Sequence, residues 1–182
     1  LVFNFSKVLS LALILIASKA LMNSNLDLTL AAEKLGHFLI GKHAQLVTAE
    51  SCTGGWLGQC ITDIAGSSIW FDRGFITYSN AAKTDMLQIQ AETLEQFGAV
   101  SAEVARQMTQ GALHNSLADY AIAITGIAGP TGGTAEKPVG TVYIAWQKGT
   151  QPAHISLQHF AGDRQEIRCQ AVYKALLLIP TE

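Results

Sequence analysis

The 182 residues suit one folded unit, since single cores typically run to ~100–200 residues before chains divide, so two large domains are excluded. Twelve Lys and Arg scattered among 14 Asp and Glu leave no basic footprint for a phosphate backbone, and 49% apolar with 14% charged residues excludes a disordered chain. The three cysteines, Cys52, Cys60 and Cys169, form no CxxC pair and are too few for a disulfide framework, which points to a reduced compartment without structural zinc.

Residues 1–21 stand apart. They hold no Asp or Glu, and an apolar stretch from Val8 to Ala17 lies between Lys7 and Lys19. Two readings are open: a signal-like segment ending in the small residues Ser18 and Ala20, or sequence upstream of a start at Met22. The stretch is short of the ~20 apolar residues that a membrane span requires, so no stable membrane association is expected. Residues 22–182 are expected to form a single cytoplasmic domain.

From Leu26 to Ile40, apolar residues recur at three- and four-residue steps and predict an amphipathic helix stopped by Gly41. The run Gln45–Thr48 predicts a strand, Ala49–Gly55 a tight turn, and Trp56–Ile64 a helix. Arg73–Tyr78 predicts a second strand, followed by helices at Asn80–Leu87 and Glu92–Phe97. Ser101, two residues ahead of Glu103, opens a helix over 102–117. Asp119–Thr125 predicts a buried strand running into the glycine-rich loop 126–140. Val142–Trp146 and Ile155–Phe160 predict an antiparallel pair, and Gln165–Leu178 a closing helix. Helices alternating with strands imply an α/β fold, a three-layer α/β/α domain with a central mixed sheet.

Three segments carry chemistry. Thr48-Ala-Glu-Ser-Cys-Thr-Gly-Gly55 joins a strand to a helix, where first-turn amides lack partners. Thr53, Gly54 and Gly55 can donate there to an anion or an oxyanion, and Ser51 can serve as nucleophile; equally, Ser51 or Thr53 can simply cap the helix. None of the five histidines has an acidic partner at a suggestive spacing. In Thr77-Tyr-Ser-Asn-Ala-Ala-Lys83, Lys83 can act as base if desolvation keeps it neutral, the alternative being an exposed helix lysine. Loop 125–140, with five glycines and two prolines, fits neither the P-loop nor the dinucleotide fingerprint. It can wrap a small anion or merely connect two strands.

Taken with Glu136-Lys-Pro-Val-Gly-Thr141 and Phe160-Ala-Gly-Asp-Arg164, these segments occur in the order and across the span seen in the CinA C-terminal domain family, which the chain resembles and which includes stand-alone nicotinamide-nucleotide amidases. The resemblance implies deamidation of nicotinamide mononucleotide to nicotinate mononucleotide and ammonia in pyridine nucleotide salvage, with no metal or organic cofactor and with a homodimeric assembly. Trp56, Trp70 and Phe71 are candidates either for its apolar contacts or for the core. The family's serine falls on Ser51, its tyrosine on Tyr78 and its lysine on Lys83.

On that reading Ser51 attacks the carboxamide, Lys83 takes the proton directly or through Tyr78, and Tyr78 relays a proton to ammonia. The amides of Thr53, Gly54 and Gly55 hold the oxyanion. Arg164, with the Gly126–Gly133 amides, meets the phosphate, and Asn80 joins the substrate-binding set. Cys52 is read as a small buried neighbour rather than a nucleophile. Lys137 either fixes its loop or contacts the ligand. The rival is a non-catalytic nucleotide-binding module tied to competence or damage response. No nucleic-acid partner is expected under either.

Overall fold

The computed structural model describes residues 27–180; the segment 1–21 and Met22 lie outside the described residues. Helix α1 covers 27–41. Then come β1 (Leu46–Glu50), α2 (Trp56–Thr62), a 3₁₀ turn (Ser67–Ile69), β2 (Phe71–Ile76), α3 (Asn80–Leu87), α4 (Ala91–Phe97), α5 (Ala102–His114), β3 (Tyr120–Gly126), β4 (Thr141–Lys148), β5 (His154–His159) and α6 (Arg164–Leu176).

The five strands form one sheet in the order β2-β1-β3-β4-β5. β1 pairs parallel with both β2 and β3, while β3–β4 and β4–β5 are antiparallel. The expected mixed sheet and the antiparallel pair at the end of the chain are both present.

Strand alternation builds the layers. Leu46 of β1, Tyr120, Ile122 and Ile124 of β3 and Val142 and Ile144 of β4 point to one face. There they pack with Leu35 and Leu39 of α1, Leu57 and Ile61 of α2, and Ile167, Ala171 and Val172 of α6. Val47, Ala49, Ala121, Ala123 and Ala145 point the other way, against Leu87 of α3 and Val104, Ala105 and Met108 of α5. The alanines on this second face let α5 approach the sheet closely. Burial on both faces is why β1 and β3 read as near-continuous apolar runs. Trp70, a residue with either a core or an interface reading, is a core residue, and Trp56 and Phe71 pack at the edge of the same cluster.

Some boundaries shift, for local reasons. α5 ends at His114 rather than 117, because Asn115 turns back and donates its Nδ2 to Gly111 O at 2.9 Å. The Asp119 carboxylate then accepts from Gln45 N at 2.8 Å and aligns β3 with β1. β2 begins at Phe71, which leaves Thr77 and Tyr78 beyond the strand. Among the described residues no helix is long and apolar enough to cross a membrane.

This topology selects one end of the sheet. The chain leaves β1 for β2 on one side and later returns to β3 on the other, so a crevice opens beyond the carboxyl ends of the parallel strands. Each of the three chemistry-bearing segments leaves such an end: Ser51 after β1, Thr77 after β2, and the glycine-rich loop after β3.

Candidate active site

The ladder continues past the strand ends and fixes the backbone of the site. Ser51 N donates to Ile124 O at 3.0 Å, and Thr77 N donates to Glu50 O at 2.7 Å. α3 follows, capped by Ser79, whose hydroxyl accepts from Ala82 N. One turn into α3, Lys83 points back under the site. Its Nζ lies 3.0 Å from Ser51 Oγ and 2.7 Å from Thr77 O.

Lys83 is 1% exposed and Ser51 9%. Among the described residues no carboxylate lies within ion-pair distance of Lys83. Desolvation by burial therefore lowers the Lys83 pKa from the ordinary 10.5, with a smaller opposing effect from Cys52. A lysine read from sequence as either base or surface residue is thus a buried amine in contact with a hydroxyl.

The turn after Ser51 is organised by a residue that sequence reasoning assigned no role. Glu50 ends β1, is 1% exposed, and sends its carboxylate toward α2. Oε2 accepts from Thr53 Oγ1 at 2.7 Å, Gly55 N at 3.0 Å and Leu57 N at 3.1 Å, and Oε1 accepts from Gly58 N at 2.9 Å. This carboxylate caps α2 in place of an N-cap side chain: Gly55 occupies that position with φ 96° and no side-chain cap. A side chain there would be strained and would press on Ile76.

The cap changes the donor set. Gly54 N donates to Ser51 O at 3.1 Å and Gly55 N is taken by Glu50, so two of the three expected oxyanion amides are already committed. The amides of Cys52 and Thr53 donate to no group among the described residues. Neither Ser51 nor Thr53 caps α2; the Thr53 hydroxyl donates to Glu50 instead. The Cys52 thiol is buried, and desolvation pushes its pKa up to about 11, which keeps it protonated.

Tyr78 is not joined to this pair. It is 63% exposed, and its hydroxyl accepts from Arg164 Nη2 at 3.0 Å. The expected proton relay through Tyr78 has no hydrogen bond to Ser51 or Lys83 behind it. Arg164 opens α6 after the capping box of Asp163 and Glu166, and its Nη1 donates to Gly129 O at 2.7 Å. In the glycine-rich loop it therefore meets a carbonyl. Gly126 is the last residue of β3, opposite Val142, and belongs to the sheet. Asn80 is exposed at the start of α3, with no hydrogen bond from its side chain among the described residues. Lys137 fixes its loop: Nζ donates to Phe97 O at 2.8 Å and Val100 O at 2.7 Å.

A second residue without an assigned role is Arg168, one turn beyond Arg164 on α6. Its Nη2 donates to Thr53 O at 2.7 Å, and its guanidinium lies 5.3 Å from the Trp56 ring centroid. Gly54, Gly55, Trp56, Gln59, Arg164 and Arg168 line a cavity of about 640 Å³ beside the nucleophile turn. The i,i+4 spacing of the two arginines was the signal available in the sequence. Among the described residues no group of three His, Cys, Asp or Glu side chains is placed to hold a metal ion.

The arrangement is a buried hydroxyl paired with a buried amine, beside two unpartnered amides, at the mouth of an α/β crevice. Comparison with known proteins agrees with its setting. Residues 28–182 match the model of the CinA C-terminal domain. A relative from Escherichia coli K12, named nicotinamide-nucleotide amidohydrolase PncC, is 51% identical over 150 residues, 82% of this chain and 91% of its own. A protein of the same name from Pseudomonas putida is 46% identical over 149 residues, covering 82% and 92%. The crystal structure of competence/damage inducible protein CihA from Agrobacterium tumefaciens superposes with a TM-score of 0.82 at 45% identity, covering 84% of this chain and 93% of that one. The expected resemblance and the α/β architecture are both met, and the chain belongs to the CinA C-terminal domain family.

Proposed function

We propose that the protein is an amidohydrolase that converts nicotinamide mononucleotide to nicotinate mononucleotide and ammonia. The observation that carries this reading is the Ser51–Lys83 pair, 3.0 Å apart and buried at the mouth of the crevice. A serine hydroxyl is a weak nucleophile until a base accepts its proton, and a lysine serves only when neutral. Burial without a carboxylate partner lowers the lysine's pKa and so favours that neutral form. The relatives' printed names supply the substrate class.

In the proposed reaction, Ser51 Oγ forms a bond to the carboxamide carbon as Lys83 Nζ takes its proton. The amides of Cys52 and Thr53 receive the oxyanion; losing one such donor typically costs ~100–1,000-fold in rate. Collapse breaks the C–N bond, and the proton held by Lys83 passes to the departing nitrogen, releasing ammonia and leaving an ester on Ser51. Lys83 then deprotonates a water that attacks the ester, and nicotinate mononucleotide leaves as Ser51 recovers its proton. Thr77 O, bonded to the same ammonium, keeps Nζ oriented through the cycle. Every step uses side chains and backbone amides of this chain.

Ammonia release from nicotinamide mononucleotide by the purified chain, beside Ser51→Ala, tests the scheme. Turnover in the wild type that vanishes in Ser51→Ala is expected. Full activity in Ser51→Ala refutes it, and saturable nucleotide binding without turnover in the wild type assigns the chain to the binding-module reading.

A further inference from the structure

Glu136-Lys-Pro-Val-Gly-Thr141 is a motif that the proposed chemistry leaves unused, and its lysine reaches across the fold. Lys137 Nζ donates to Phe97 O at 2.8 Å and to Val100 O at 2.7 Å, 40 and 37 residues away in sequence. Its own backbone is fixed: Lys137 N donates to Thr134 Oγ1 at 3.1 Å, and Thr134 N donates to Lys137 O at 2.9 Å. Among the described residues no carboxylate lies within ion-pair distance of Nζ. The ammonium is spent on two carbonyls rather than on an acid.

Those carbonyls belong to the connection between α4 and α5. Phe97 ends α4, Gly98 turns the chain at φ 74°, and Ser101 caps α5. α4 buries none of its residues, so apolar packing does not hold the connection in place. Side chains do. Ser101 Oγ donates to Gly98 O at 3.0 Å, and Thr125 Oγ1 donates to Ala99 O at 2.7 Å. With Lys137 at Phe97 and Val100, each of four successive carbonyls has a side-chain donor, and the two charge-assisted bonds come from Lys137.

This connection walls the catalytic crevice. The pairing of Glu50 with Ile124 continues in the bond from Ser51 N to Ile124 O, which sets Ser51 beside Thr125. Both continue the alternation of Ala49 and Ala123, so both face the α3 and α5 side of the sheet, the side from which Lys83 enters. α2 and α6 pack on the opposite side. Thr125 therefore stands between the nucleophile and Ala99, and residues 97–100 bound the crevice on the α5 side of Ser51.

We propose that Lys137 is a positioning residue for the amide hydrolysis, a role that rests on the amidase reading. Its ammonium clamps the α4–α5 connection onto the strand end beside Ser51, and the clamped wall keeps the carboxamide of the bound substrate in line with Ser51 Oγ. Lys137 itself touches no reacting atom. A displacement of about 1 Å between reacting groups can cost ~100-fold in rate, so a wall released from its clamp slows the chemical step more than it weakens binding.

The test reads kcat and KM separately for nicotinamide mononucleotide in the wild type, Lys137→Met and Lys137→Arg. Lys137→Met should lower kcat roughly 10–100-fold and leave KM within about threefold of the wild type. Lys137→Arg, which keeps a charged donor for the two carbonyls, should recover most of that loss. An unchanged kcat in Lys137→Met overturns the assignment, as does a rise in KM at constant kcat, which would put Lys137 on the ligand. Equal losses in Lys137→Arg and Lys137→Met also overturn it. Should circular dichroism show that Lys137→Met is unfolded, Lys137→Gln, which keeps one donor, replaces it and the same comparison decides. Absence of turnover in the wild type refutes the amidase reading instead, and hydrogen exchange then decides the clamp. Faster exchange of amides 98–104 in the variant, with α6 unchanged, upholds it, and equal exchange overturns it.

Discussion

Replacing Glu50 by glutamine isolates what the buried carboxylate does for the nucleophile turn. Oε2 carries three donors and Oε1 one. In the better orientation the glutamine oxygen keeps the three and its NH₂ group faces Gly58 N–H, a donor against a donor. Three charge-assisted bonds become neutral ones, each weaker by about 1 kcal/mol, and one buried donor is orphaned at about 1–3 kcal/mol. Relief from burying a full charge offsets several kcal/mol of this. The net expectation is a loss of about 2–4 kcal/mol, a Tm decrease of roughly 5–15 °C for a chain of this size. Urea and thermal unfolding followed by circular dichroism measure it, and amidase assays on the folded variant should show a lower kcat as the turn loosens. A variant within about 0.5 kcal/mol of the wild type would refute the view that this carboxylate organises the turn.

Two further outcomes follow from the buried site. Lys83→Met should abolish amide hydrolysis yet stabilise the fold at pH 7 by roughly 1–3 kcal/mol, because an apolar side chain replaces a desolvated ammonium. The sign follows from the lowered pKa: between the folded value and the ordinary 10.5 the unfolded chain holds more protons, so wild-type stability rises with pH there and the advantage of Lys83→Met shrinks. Urea unfolding from pH 7 to 10 checks this, and a variant less stable at pH 7 contradicts it; in parallel, wild-type kcat/KM should rise with pH as Lys83 loses its proton. Cys52→Ala, which removes a thiol held protonated by a pKa of about 11, should keep amidase activity and cost about 1 kcal/mol of packing. Iodoacetamide should leave the wild type active, and inactivation through Cys52 together with an inactive Cys52→Ala would transfer the nucleophile role to the thiol.

Periodicity located each α-helix and strand to within a few residues, because each buries one face and the apolar spacing records it, whereas the 3₁₀ turn Ser67–Ile69 is too short to carry such a pattern. The end of α5 was less legible because the side chain of Asn115 turns back onto its own helix, and the start of β2 because the Leu46–Phe71 pairing joins residues far apart in sequence. In the site, Ser51 and Lys83 could be named from their motifs, but their contact spans 32 residues and requires the parallel pairing of β1 with β2. Tyr78 shows the converse: its motif places it near Lys83 in sequence, yet the turn beyond β2 sends its hydroxyl outward to Arg164, 86 residues away. Glu50 was obscured by its position at the end of an otherwise uncharged strand. The sign available was a helix opening on Gly54-Gly55 with no capping side chain and a carboxylate just upstream.

Glu50 and Arg168 together explain how a short glycine-rich turn can hold a nucleophile steadily. Glu50 grips the turn from within through Thr53 Oγ1 and Gly55 N, while Arg168 grips it from outside through Thr53 O. Thr53 is thus fixed at both its side chain and its carbonyl by opposite charges, while its amide has no hydrogen-bond partner among the described residues. A turn held only by neutral backbone bonds would keep two such contacts, Gly54 N to Ser51 O and Trp56 N to Thr53 O, and could relax when a charge develops on the substrate. Preorganised amides are effective only if they do not have to move when the oxyanion forms. The two charged residues that touch no reacting atom are therefore the ones that make the Cys52 and Thr53 amides useful donors, and the uncharged sequence Cys-Thr-Gly-Gly between them could not do this alone.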